Sequence, residues 1–144
     1  LDILQLGGAF GVELRDGSPV MVGLPRTIRS GDWCEQGFPF FSGTGTYRGT
    51  VTLGEDQLER MLRLDVDCGA DVLEVSVNGR PAGVRLWRPY EIDITPCCHA
   101  GENLIELKVT NTLVNTLEGV SKASGVASAR IVPYERYTID PGSD

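Results

Sequence analysis

The stretch Leu73–Thr95 reads LEVSVNGRPAGVRLWRPYEIDIT, and its spacing points to the fold. Leu73, Val75 and Val77 alternate with Glu74 and Ser76. A period of two puts apolar side chains on one face of a strand and polar ones on the other. Asn78-Gly79 follows at once. Both central residues of a two-residue type I′ hairpin need positive φ, which Asn and Gly tolerate, so the chain is expected to double back there. Further on, Ile92 and Ile94 alternate with Glu91 and Asp93. Between the two runs Trp87, Arg88 and Tyr90 fall within four residues. They suit a grip on a sugar, a plug for one end of a core, or a contact with a neighbouring domain.

The same period recurs outward from this stretch. Leu62, Leu64, Val66 and Cys68 alternate with Arg63, Asp65 and Asp67. Ile105, Leu107 and Val109 alternate with Glu106 and Lys108, and Tyr47, Val51 and Leu53 with Arg48, Thr50 and Thr52. Such sheets have one wet face and one buried face. Short strands separated by turns at close spacing predict an all-β sandwich or barrel. Ala9–Val22 is expected to hold a strand or a hairpin around Asp16-Gly17. Single helical turns are expected within Glu55–Leu62 and at Thr95, with Thr95 as N-cap and Pro96 in the first helical position. The segment 29–45 reads as a long loop rich in aromatics, and 110–129 as a polar loop. A last strand is expected in ARIVPYERYTI, with Pro133 assigning it to a sheet edge or a bulge.

Composition removes several classes. The chain has 144 residues, 41% of them hydrophobic, the balance of one globular domain spanning 1–144. Its net charge is −7, with 20 acids against 13 bases and no basic cluster, which argues against a nucleic-acid partner and an anionic membrane. No apolar run approaches the ~18 residues of a membrane span. No leader peptide is visible, and the first residues read like the middle of a longer polypeptide. Cys34, Cys68, Cys97 and Cys98 are too sparse for a disulfide scaffold and read as reduced thiols, an expectation that favours a cytoplasmic location. Cys97-Cys98-His99 lacks the separated ligand pairs of a zinc site.

Three stretches together carry a family resemblance: FFSGTGTYRGTVTL (Phe40–Leu53), LEVSVNGRPAGV with RPYEIDIT (Leu73–Thr95), and GENLIELKVTNTLVN (Gly101–Asn115). In this order and spacing, from about Asp32 to Asn115, the chain resembles the galactose-binding-domain-like β-sandwich. The branch is that of the sugar-binding domain of family 2 glycoside hydrolases and the C-terminal sandwich of large bacterial α-L-rhamnosidases. It departs from the pattern at CCHAGEN, where a proline usually precedes Gly-Glu-Asn. The resemblance implies a jelly-roll sandwich of eight or nine strands. It also implies a non-catalytic accessory module, excised from a multidomain protein, that supports a catalytic domain of the same polypeptide. It allows carbohydrate as a partner and a structural calcium ion, and it implies no other cofactor. Two alternatives stay open: a purely structural interdomain module, and a glycosidase active on its own.

The candidate carbohydrate-binding residues are Trp33, Trp87, Arg88 and Tyr90. Aromatic rings cover the C–H face of a sugar, and guanidiniums bond its hydroxyls. Against this, Tyr90 alternates in step with Ile92 and Ile94 and is expected to point inward. Trp33 sits among Phe38, Phe40 and Phe41, where burial or a domain contact competes with ligand binding. The carboxylates Asp65, Asp67, Asp71, Glu74, Asp93, Glu102 and Glu106 fall mostly on outward strand positions, and no catalytic residue is assigned among them. Asn111 and Asn115 are expected to cap carbonyls of the following loop.

Overall fold

A computed structural model of the chain describes residues 6–69, 71–119 and 121–134. Nine strands are described: β1 (Gly11–Arg15), β2 (Ser18–Val22), β3 (Thr44–Leu53), β4 (Met61–Cys68), β5 (Val72–Val77), β6 (Arg80–Arg85), β7 (Glu91–Asp93), β8 (Gly101–Thr110) and β9 (Val126–Tyr134). Two helical turns join them, α1 (Glu55–Leu58) and α2 (Val114–Leu117). Seven strands make the sandwich, a four-stranded sheet in the order β3-β8-β5-β6 facing a three-stranded sheet in the order β7-β4-β9. The remaining two, β1 and β2, form a separate hairpin.

The alternating residues do what their spacing predicts. Leu62, Leu64, Val66 and Cys68 of β4 are buried with Leu73, Val75 and Val77 of β5, Leu107 and Val109 of β8, and Ile92 and Ile94. These side chains come from both sheets and merge in one core. Each fully buried aliphatic side chain contributes roughly 1.5–3 kcal/mol of transfer free energy. The hairpin predicted at Asn78-Gly79 is present, and of the two readings around Asp16-Gly17 the structure has the hairpin. Asn78 (φ 53°) and Gly79 (φ 74°) join β5 to β6, and Asp16 (φ 50°) and Gly17 (φ 78°) join β1 to β2. β9 lies at a sheet edge, as Pro133 requires; the expected continuation past Tyr134 lies outside the described residues.

Buried polar side chains close the two ends of the sandwich. At one end Asn103 is fully buried. Its Oδ1 accepts from Asn78 Nδ2 (2.9 Å) and from the His99 amide (2.9 Å), and its Nδ2 donates to the carbonyls of His99 (2.7 Å) and Gly101 (3.0 Å). Asn78 in turn accepts from the Leu104 amide (3.0 Å). The two asparagines of VNG and GEN thus satisfy each other and the backbone of both turns. The turn at Thr95–Cys97 forms, but Thr95 is not its N-cap; Ile94 stands there. The Thr95 hydroxyl instead accepts from the Leu62 amide at 2.7 Å, binding the turn to β4.

At the other end Asp71 is buried, against the expectation of an outward carboxylate. Its Oδ2 accepts from the Gly125 amide at 3.1 Å. Tyr90 donates its hydroxyl to the Asp71 carbonyl (2.6 Å) and accepts from the Asp71 amide (3.0 Å). Burial pushes the Asp71 carboxyl above the usual carboxylate range, and bonds from Gly125 and Ser124 oppose that shift. Asn115 Nδ2 donates to the Lys122 carbonyl (2.8 Å) of the following loop, as expected, whereas Asn111 Nδ2 donates to the Phe41 carbonyl (2.7 Å) in the loop before β3.

Candidate functional site

The four candidate residues separate into two groups. Trp33 is only 2% exposed. Its loop is pinned by a bond from the Trp33 amide to the Ser124 carbonyl (2.9 Å), and its indole N–H donates to the Tyr47 hydroxyl (2.6 Å). Phe41 meets the ring edge-on, with centroids 5.8 Å apart. Tyr90 is 4% exposed, with its hydroxyl occupied by Asp71 as described above. Neither ring presents a face to solvent, so both act as core. The sequence places Tyr90 correctly; for Trp33, burial is the reading that the structure selects.

Trp87 and Arg88 lie outside. Trp87 is 71% exposed, and Val84 and Leu86 beside it are also exposed. Arg88 lies along the surface of β4: its Nη2 donates to the Cys68 carbonyl at 2.7 Å and reaches Asp67 Oδ1 at 3.5 Å. Arg88 borders a depression of about 280 Å³ on the outer face of the three-stranded sheet, shared with Asp65 and Asp67 of β4, Glu91 of β7, and Ser128 and Arg130 of β9. The spacing of β4 puts Asp65 and Asp67 on one face, but their neighbours follow from strand pairing. Asp65 stands opposite Glu91 on one side and Arg130 on the other. Sequence reading missed Glu91, Ser128 and Arg130 for this reason.

The depression is electrostatically organised. Arg63 Nε donates to Asp65 Oδ1 at 2.6 Å, and its Nη1 lies 3.1 Å from Glu91 Oε2. Arg130 approaches Asp65 at 3.6 Å. The bond to Asp65, more than the charge of Glu91, strengthens proton binding by the Arg63 guanidinium. These ion pairs hold donors and acceptors in place on a strand scaffold, which suits bonds to hydroxyls; the exposed Trp87 directly precedes Arg88 in the chain.

Thiols and side chains of metal-ligating type also occur elsewhere among the described residues. The four cysteines are free thiols. Burial, reinforced by the charge of Asp32, pushes Cys34 up to about 12, and burial with Asp71 pushes Cys68 up to about 12, so neither supplies a thiolate nucleophile near neutral pH. Among the described residues no group of three or more His, Cys, Asp or Glu is placed to hold a metal ion. No helix among them is long and apolar enough to cross a membrane.

The fold is an all-β sandwich. Comparison with known proteins is consistent with that class. No protein-family model matches the chain. A Formosa agariphila protein bearing the name of a β-glucuronidase is 39% identical over 90 residues, 60% of this chain. The chain spans 8% of that curated relative's length. A family 2 glycosyl hydrolase from Bacteroides cellulosilyticus shares the fold over 88% of this chain, at 22% identity and a TM-score of 0.57, with 18% of its own length covered. A rhamnosidase from Novosphingobium does so over 91% of this chain, at 23% identity and a TM-score of 0.55, with 16% of its length covered. The chain therefore resembles a sandwich domain of family 2 glycoside hydrolases and rhamnosidases, and corresponds to a small part of each.

Proposed function

We propose that the chain is a non-catalytic accessory sandwich of a glycoside-hydrolase-type protein, supporting a catalytic domain of the same polypeptide and contacting carbohydrate through Trp87 and the depression beside it. The observation that carries this reading is the shared fold over most of the chain with proteins several times longer whose names are those of sugar hydrolases. Hydrolysis by the chain itself is disfavoured by the site. A glycosidase needs an acid and a base or nucleophile roughly 5–9 Å apart across its substrate. Here Asp65 engages Arg63 through both oxygens, and Asp67 faces Arg88.

Titration calorimetry against a panel of neutral and uronic-acid oligosaccharides tests the proposal. Saturable heat that disappears in Trp87→Ala supports it. A second reading, a purely structural interdomain module, is favoured by the run of exposed Val84, Leu86 and Trp87. It predicts no sugar binding, and a Trp87 that is shielded from a fluorescence quencher only in the longer polypeptide.

A further inference from the structure

The turn between β5 and β6 carries a chemically reactive pair that has no part in the depression. Of the four asparagines, Asn78 is the one followed by glycine; Asn103, Asn111 and Asn115 precede Leu104, Thr112 and Thr116. An Asn-Gly pair is labile. The backbone nitrogen of the second residue can attack the side-chain Cγ of the first, and glycine has no Cβ to shield that nitrogen. The new N–Cγ bond closes a succinimide. The Cγ–Nδ2 bond breaks, and the amide nitrogen leaves as ammonia, taking up the proton lost from the glycine nitrogen. Solvent water then opens the ring at either carbonyl, leaving aspartate or isoaspartate.

The folded chain restrains this pair. Gly79 is exposed at the tip of the hairpin, but the half-buried Asn78 side chain is fastened by three hydrogen bonds. Its Nδ2 donates to the Cys97 carbonyl (3.0 Å) and to Asn103 Oδ1 (2.9 Å), and its Oδ1 accepts from the Leu104 amide (3.0 Å). Attack on Cγ needs the side chain to turn onto the backbone and Nδ2 to leave, which gives up these bonds together. The same bonds make the product a poor fit. A carboxylate at position 78 sets an acceptor against the Cys97 carbonyl and Asn103 Oδ1, which are acceptors too. Asn103 cannot turn its amide over to help, because the His99 amide holds its Oδ1 and the carbonyls of His99 and Gly101 hold its Nδ2. The backbone is no obstacle, since Asp16 occupies the corresponding place in the β1–β2 turn at φ 50°.

We propose that Asn78 is a deamidation site masked by the folded sandwich: conversion is confined to chains that have opened at this end, and it handicaps their return to the native state. Protection follows the opening of the Asn78–Asn103 end, where the turns at Gly79, Cys97 and His99 part together. An opened chain lacks these restraints, and there Asn78 converts ahead of the other three asparagines.

The test incubates the 144-residue chain at mildly alkaline pH, in native buffer and in guanidinium chloride above its unfolding midpoint, and follows each asparagine by peptide mass spectrometry. In denaturant Asn78 is expected to convert about tenfold or more faster than Asn103, Asn111 or Asn115. In native buffer its conversion is expected to be about a hundredfold slower than in denaturant, the factor for three hydrogen bonds of ordinary net strength. Asn78→Asp, which installs the product directly, is expected to lower the denaturant midpoint at neutral pH. The gap to the parent chain should narrow on acidification, because the protonated acid can donate where the amide did. An Asn78→Asp chain that does not fold is the extreme of the expected loss, and the conversion rates of the parent chain stay decisive. Equal conversion of Asn78 in the two buffers, conversion in denaturant no faster than at the other asparagines, or an Asn78→Asp chain as stable as the parent at neutral pH each overturns the proposal.

Discussion

Trp33 and Trp87 stand on loops that both lean on the connection between β4 and β5. The Trp33 loop reaches it through Ser124 and Gly125, and the Trp87 loop through Arg88 on the Cys68 carbonyl. One ring is nearly inaccessible and the other is mostly in solvent. The difference is in partners. Trp33 has a hydroxyl for its N–H, an edge-on phenylalanine and a glycine that leaves room for its ring. Trp87 follows an edge strand whose outer side offers nothing to pack on. Aromatic content alone therefore did not separate a core residue from a contact residue; the nearby backbone and polar groups did.

The comparison is broken most directly at Trp33. Trp33→Ala should cost about 3–5 kcal/mol, as for other large aromatic truncations in cores, read as a lower denaturant midpoint. A loss under about 1 kcal/mol would mean that the loop does not hold the sandwich together. Next comes the opposite end. Asn103→Ala leaves the His99 amide and the carbonyls of His99 and Gly101 without their partner, and should cost about 2–3 kcal/mol.

Asp71 lies between the two tryptophan loops and has a pH signature. Its folded pKa is raised, mainly by burial, so the folded state binds the proton more tightly than the unfolded chain. Its contribution is therefore most favourable below the ordinary carboxylate range and is lost as pH rises through the raised value. Asp71→Asn removes this dependence. Its stability relative to the parent chain should improve from pH 4 to pH 7, as measured by urea unfolding at both values; the reverse slope would show that the bonds from Gly125 and Ser124 outweigh burial. The smallest effect on folding belongs to Trp87→Ala, within about 0.5 kcal/mol of the parent, even though this substitution is the one expected to abolish carbohydrate binding.

Much of the fold was legible because it depends on local rules. Strand faces followed from alternation, and the hairpin at Asn78-Gly79 from the need for positive φ. The resemblance added the order of elements, and the structure supplies its physical basis: the asparagines of VNG and GEN bond each other across the sandwich end. The candidate site was legible only in part. Arg88 borders the depression, but Glu91, Ser128 and Arg130 are separated from Asp65 and Asp67 by up to nearly half the chain and meet them through sheet register.

Burial of carboxylates was harder still. Asp71 reads like any acid after a turn, and only the loop carrying Gly125, folded over it from a distant part of the chain, encloses it. The sequence by itself determined which face of each strand is apolar and where the chain turns, since these follow from neighbours one or two residues apart. Tertiary structure alone decided which tryptophan is core and which charged residues share a surface. Those outcomes depend on contacts between residues far apart in the chain, whose partners local periodicity does not specify.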